Sequence, residues 1–302
     1  MRSALLFFLL LNLLYAEPIT PIPQHIEVDE AKAALGKELF FDTILSIDNT
    51  ISCATCHDLD NGGDDGLRFS FGVNGKEGDI NSPTVYNAVF NFRQFWNGRA
   101  KNLLHQAEGP IQNPVEMANK FNKLIERLKK TPYKEKFNAV YKDGITQHNI
   151  VDAIAEYEKT LITPNAPFDK YLRGDENAIT QKQKEGYILF KDKGCIACHH
   201  GINVGGNLYN KFGVMQYVSS KRLGRYEVTH KEEDKYYFKV PSLRNVAKTA
   251  PYLHDGRFET LDEVVKFMAR YQLGQVVTQD EIDKIVAFLN SLSGELPASA
   301  KR

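Results

Sequence analysis

Cysteine is scarce in this chain, with four among 302 residues. Tryptophan occurs once, at Trp96, and methionine four times. Charge of one sign is missing too, since 38 Lys and Arg face 38 Asp and Glu. A balanced chain has no net charge to attract a polyanion, so nucleic acid is not an expected partner. A local patch for a redox partner is compatible with that balance. After the first sixteen residues no run is long and apolar enough to span a bilayer, so a membrane-spanning protein is not expected.

The opening residues stand apart. Arg2 gives a positive start, Leu5 to Leu14 are apolar apart from Asn12, and Leu14-Tyr15-Ala16 ends on a small residue. Residues 1–16 are thus expected to be a cleaved signal peptide, too short for a bilayer span. The mature protein should begin near Glu17, lie outside the cytoplasm, and be long enough for two compact domains.

The four cysteines fall into two runs, Cys53-Ala54-Thr55-Cys56-His57 and Cys195-Ile196-Ala197-Cys198-His199. Each has the form of a covalent haem attachment site, in which two thiols capture the porphyrin vinyls and a histidine ligates iron. Two intervening residues put both sulfurs along one edge of the macrocycle, and the adjacent histidine reaches the iron from one face. Disulfides, a structural zinc or a redox dithiol compete for the cysteines. None of them explains a histidine after the second cysteine both times. Two c-type haems are the expected cofactors.

A duplication organises the rest. Gly36 to Phe40 resembles Gly186 to Phe190, each ahead of a haem site. Pro83-Thr84-Val85-Tyr86-Asn87 aligns with Pro241-Ser242-Leu243-Arg244-Asn245. At the same offset Trp96-Asn97-Gly98-Arg99 meets His254-Asp255-Gly256-Arg257, and Leu103 meets Leu261. Two copies of one unit are expected, over 17–164 and 165–302, with Thr163 to Pro167 as the linker. Ile150, Ile154, Tyr157 and Leu161 recur at helical spacing, as do Ile282, Ile285, Val286 and Leu289. Thr180 with Gln183, Thr260 with Glu263 and Thr278 with Glu281 read as capping boxes. Residues 61–78 and 201–213 read as loops over the haems. The expected fold is all-α, two cytochrome c-like haem-binding domains.

The sixth iron ligand largely decides what a haem can do. Met268 shares a helical stripe with Leu261, Val264 and Val265, as core filler or as the axial ligand of the second haem. Met215 competes for that role, and Met117 belongs to the first unit. The repeat counterpart of Met268 is Pro110, which has no donor atom. A His/Met haem transfers electrons at raised potential, whereas one with an open face can bind a small oxidant.

These residues resemble the bacterial dihaem cytochrome c peroxidases over nearly the whole mature chain. The resemblance is carried by Leu39-Phe40-Phe41-Asp42, Asn81-Ser82-Pro83-Thr84, Gln94 to Arg99, Gly109 to Gln112 with Glu116-Met117, and both haem sites. In the second half Phe238 to Asn245, Thr249 to Tyr252 and His254-Asp255-Gly256 carry it. It implies a periplasmic, often homodimeric enzyme that reduces hydrogen peroxide with electrons from a small cytochrome c or copper protein. The electrons would enter at the C-terminal His/Met haem and pass to an N-terminal peroxidatic haem. Gln106 and Glu116 take the positions of the distal pocket, where a carboxylate does acid–base work. Without the resemblance Glu116 reads as a solvated helix-start carboxylate. Trp96 matches the inter-haem tryptophan, although interdomain packing alone would also account for it. Asn81, with the backbone carbonyls of Thr249 and Pro251, matches a calcium site that no EF-hand loop announces.

One departure matters. Many family members carry a histidine that caps the peroxidatic iron, and here the matching residue is Val73. His105, on an expected helix over Ala100–Ala107, is a substitute candidate, with Asn74 and Lys76 behind it. The first haem is therefore expected to be open at rest. A dihaem electron carrier and a protein-oxidising dihaem relative are the alternative functions. The latter has tyrosine where Met268 stands.

Overall fold

The computed structural model describes residues 17–301, so the expected signal peptide lies outside the described residues. Six helices carry the frame: α1 (Glu30–Phe41), α2 (Leu103–Gln112), α3 (Gln147–Lys159), α4 (Gln181–Asp192), α5 (Leu261–Phe267) and α6 (Gln279–Asn290). The Asp29 carboxylate opens α1 by accepting from the N–H groups of Ala31 and Lys32, at 3.1 Å each. The three expected capping boxes open α4, α5 and α6. Each satisfies backbone donors that the first turn leaves without a partner.

The duplication is visible in the packing. α1 crosses α3 as α4 crosses α6. At the first crossing a Cβ on Gly36 would collide with the Ala153 carbonyl, and at the second a Cβ on Gly186 would collide with that of Lys284. Glycine is needed at both because the backbones touch. Phe40 meets Tyr157 with ring centroids 5.2 Å apart, and Phe190 meets Phe288 at 5.1 Å. The loops repeat as well. Phe95 and its mate Leu253 are left-handed, with φ of 67° and 71°, and so are Asn87 and Asn245 at 60° and 61°.

Three local expectations change. The helix expected over Ala100–Ala107 starts at Leu103, because Asn102 is its cap and accepts from the His105 N–H at 2.9 Å. Ala100 is instead bridged to Gln94. The stretch 201–213 contains β1 (Tyr209–Lys211), paired antiparallel with β2 (Tyr237–Lys239). Three residues are too few to show a strand period, and the partner lies well downstream. The Thr163 to Pro167 stretch is packed rather than free, with Thr163 and Ala166 buried. Thr163 Oγ1 accepts from Asn87 Nδ2 at 2.7 Å and from Asn245 Nδ2 at 2.9 Å. The repeat-related asparagines thus close on one hydroxyl.

The termini cross over. Ile19 packs in the core of the second unit with Phe168, Tyr187 and Phe288. Ala300 packs with Phe40 and Tyr157 of the first. Among the described residues no helix is long and apolar enough to cross a membrane.

Candidate functional site

The second haem motif lies on a single 3-10 turn, Cys195–Ala197, directly after α4. A large cavity opens beside it, lined by Cys195, Cys198, His199 and Met268. Val264, Val265, Leu289 and Ile285 make its wall apolar. Met268 gets there because α5 passes into a π-helical turn over Met268–Gln272, a distortion found often at functional sites. Met215 does not line this cavity; it is 59% exposed and packs on Gly274. The structure therefore brings Met268, and not Met215, to the second motif.

His199 Nδ1 lies 3.4 Å from the Val204 carbonyl, and His57 Nδ1 lies 3.2 Å from that of Gly63. A ring N–H donated to a carbonyl fixes the tautomer and leaves Nε2 for a metal. Burial pushes both histidines below their ordinary pKa, His199 to about 4, so the neutral ligand form is favoured. None of the four cysteines is paired in a disulfide. Among the described residues no three His, Cys, Asp or Glu side chains gather as a zinc site would require.

The first motif forms a short helix, Cys53–Cys56, capped by Ser52 and Thr55. Glu116 lies close enough for its charge to act on both the Cys53 and Cys56 thiols. It is not a solvated helix-start residue. It sits half-buried on the turn after α2, and Asn113 Nδ2 donates to its Oε1 at 2.6 Å. Burial raises its pKa above the ordinary glutamate value, while the Asn113 hydrogen bond and the Arg99 charge oppose the rise. Gln106 is half-buried on α2, a turn before Pro110.

Val73 is 1% exposed, and its N–H donates to the Glu116 carbonyl at 2.8 Å. A Cβ on the preceding Gly72 would run into the Val115 and Glu116 carbonyls. The loop is therefore seated on the Glu116 turn, with the Val73 hydrocarbon side chain buried. His105 is exposed on α2. Met117 is buried in the core with Leu45, Ile111 and Phe121. Asn74 and Lys76 are exposed like His105, and Lys76 Nζ donates to the Pro114 carbonyl at 3.0 Å.

Between the two motifs, Trp96 Nε1 donates to the Asn81 carbonyl at 2.9 Å. The Asn81 N–H donates to the His254 carbonyl, also at 2.9 Å. Asn81, Trp96, Thr249 and Pro251 all line the cavity. So does Asp64, a residue that the sequence reading missed. It is 2% exposed, and its Oδ1 has no hydrogen-bond partner. Burial, with Asp65 adding to it, pushes its pKa up to about 7. One aspartate in a glycine-rich loop gives no sequence signal. The two asparagines on Thr163 did leave one, since they are identical residues in both copies of a repeat block.

The family profile described as di-haem cytochrome c peroxidase matches residues 30–177, and that described as cytochrome c matches 183–293. The chain is 53% identical over 285 residues to the cytochrome c peroxidase Ccp of Escherichia coli K12, covering 92% of this chain and 61% of that protein. It therefore spans about three fifths of that relative's length. It is 47% identical over 285 residues to the cytochrome c551 peroxidase of Nitrosomonas europaea, covering 93% and 85% of the two chains. A crystal structure of a MauG-like protein associated with microbial copper homeostasis superposes with a TM-score of 0.80, at 24% identity, over 94% of this chain and 95% of that one. That likeness shows the fold.

Proposed function

Because the chain belongs to the di-haem cytochrome c peroxidase family, we propose that it reduces hydrogen peroxide to two waters, consuming two protons and two electrons from a small cytochrome c or copper protein. The observation that carries this reading is the inequality of the two units. Met268 faces the second haem motif, while its repeat counterpart Pro110 lies inside α2 with no donor atom.

The residues present suit two c-type haems. Cys53 and Cys56 would hold one and Cys195 and Cys198 the other, with His57 and His199 as proximal ligands and Met268 closing the second iron. When bound, the haems supply the redox iron, one centre to receive electrons and one to meet peroxide. Glu116 would take a proton from one peroxide oxygen and return it to the oxygen that departs as water. A carboxylate whose pKa is raised by burial suits both halves of that transfer. Gln106, half-buried on α2, would orient the peroxide. Trp96, in contact with Asn81 and His254, would carry electrons between the two centres.

A calcium ion also suits the junction of the units. It is a hard cation that takes oxygen ligands. Asn81 Nδ2 donates to the Leu67 carbonyl at 3.0 Å, which leaves Oδ1 for the ion beside the carbonyls of Thr249 and Pro251. The orphaned Asp64 carboxylate in the same cavity supports this, because a buried anion without a partner is costly. We read the working form as an exported, periplasmic homodimer.

The test is catalytic. Protein reduced by an artificial donor is mixed with peroxide, and donor oxidation is followed. Sustained turnover is expected. A single stoichiometric oxidation with no turnover would make the protein an electron carrier instead.

A further inference from the structure

One buried cation has no role in the proposed reaction. Lys239, the last residue of β2, is 6% exposed and lines the cavity with His199 and Met268. Its ammonium makes no hydrogen bond or ion pair with any described residue, and burial alone pushes its pKa down to about 8. Desolvating an ammonium without a counter-charge is expensive. No carboxylate of the described residues balances this charge.

The duplication shows how Lys239 comes to be there. Its repeat counterpart is Asn81. The Asn81 N–H donates to the His254 carbonyl at 2.9 Å, and the Lys239 N–H donates to the Trp96 carbonyl at 2.8 Å. Since Trp96 and His254 are themselves counterparts, the two backbone bonds are related by the repeat. The side chains then diverge. Asn81 is short and tied to Leu67, whereas Lys239 extends a cation from the same backbone position.

Asp64 lines the same cavity but neither bonds to this ammonium nor acts on its charge, and the wall around Met268 is apolar. A c-type haem seated there brings its own anions, the two propionates. We propose that Lys239 ion-pairs with a propionate of the haem held by Cys195 and Cys198 and so holds that haem at raised reduction potential. The proposal rests on the di-haem reading. A fixed positive charge beside a haem favours the reduced iron, whose net charge is lower by one. Asn81 places no such charge in the first unit, so Lys239 adds to the inequality that the axial ligands begin. It is a positioning and tuning residue and touches no substrate.

The test is a spectroelectrochemical titration of both haems in the full protein without peroxide, in Lys239→Met, Lys239→Gln and Lys239→Arg. Haem content measured beforehand shows whether two haems are present, so failure of the di-haem reading is detected separately. Both neutral variants are expected to make the C-terminal haem tenfold harder to reduce, about 59 mV for one electron. The arginine variant should stay near the parent, and the N-terminal haem should move less. Neutral variants that fail to retain the second haem, while the arginine variant retains it, would equally support the ion pair. The proposal is overturned by neutral variants with two haems and an unmoved potential. It is also overturned if the arginine variant changes, or loses the haem, together with the neutral ones, because the role would then be packing.

Discussion

Trp96 and His254 occupy the same position in the two copies of the repeat and stand against one another, with ring centroids 6.1 Å apart and planes at 67°. An edge-to-face pair of this kind is a favourable aromatic geometry. His254 is stacked on Phe238 at 4.3 Å, and its Nε2 lies 2.8 Å from Ser220 Oγ. The ring pair is therefore held from both sides. Trp96→Leu should slow electron transfer between the haems by at least an order of magnitude. Stopped-flow absorption of half-reduced protein mixed with peroxide reads this rate. Equal rates in the two proteins would leave Trp96 a packing residue.

Glu116 is expected to act as a base first, so the ionised form starts the reaction. Its pKa is raised, and turnover should fall as pH drops through a value above that of an ordinary glutamate. Glu116→Gln should lower turnover by about 10² or more and remove the acid limb of the profile. Both haem spectra should persist. A variant with full activity and the same acid limb would exclude Glu116.

Asp64 should contribute to cation binding. Asp64→Asn keeps the shape and removes the charge, and calcium affinity measured by calorimetry should fall by about 10- to 100-fold. An unchanged affinity would separate Asp64 from the ion.

Glu158 gives a pH prediction for stability. It is buried on α3, its Oε2 has no partner, and burial raises its pKa to about 8. Between the ordinary glutamate value and that raised value the folded state holds a proton that the unfolded state has released. Stability is therefore lost as pH rises through this window. Glu158→Gln should raise Tm at pH 8 and change it little at pH 4. Equal Tm shifts at both pH values would rule out ionisation as the cause.

What was legible in the sequence is what depends on near neighbours. Cys53 to His57, Cys195 to His199, the Thr260–Glu263 box and the stripe leading to Met268 each encode their geometry within a few residues. Asp64, Lys239 and Thr163 were not legible in that way. Their surroundings draw on both copies, as when Thr163 meets Asn87 of its own copy and Asn245 of the other. The start of α2 was misplaced because alanine and lysine at 100 and 101 suit a helix, yet Ala100 is bound to Gln94 and Asn102 caps. The burial of Glu116 depends on the Val73 loop seated on its turn, a contact across more than forty residues that no local pattern encodes.

The central claim is unequal iron coordination: a sulfur from Met268 on the second haem, and no protein ligand opposite His57 on the first. Electron paramagnetic resonance of the fully oxidised di-haem protein tests it most directly. The expected spectrum has one low-spin His/Met centre and one high-spin centre, five-coordinate or water-bound. Two low-spin centres and no high-spin signal would contradict the account.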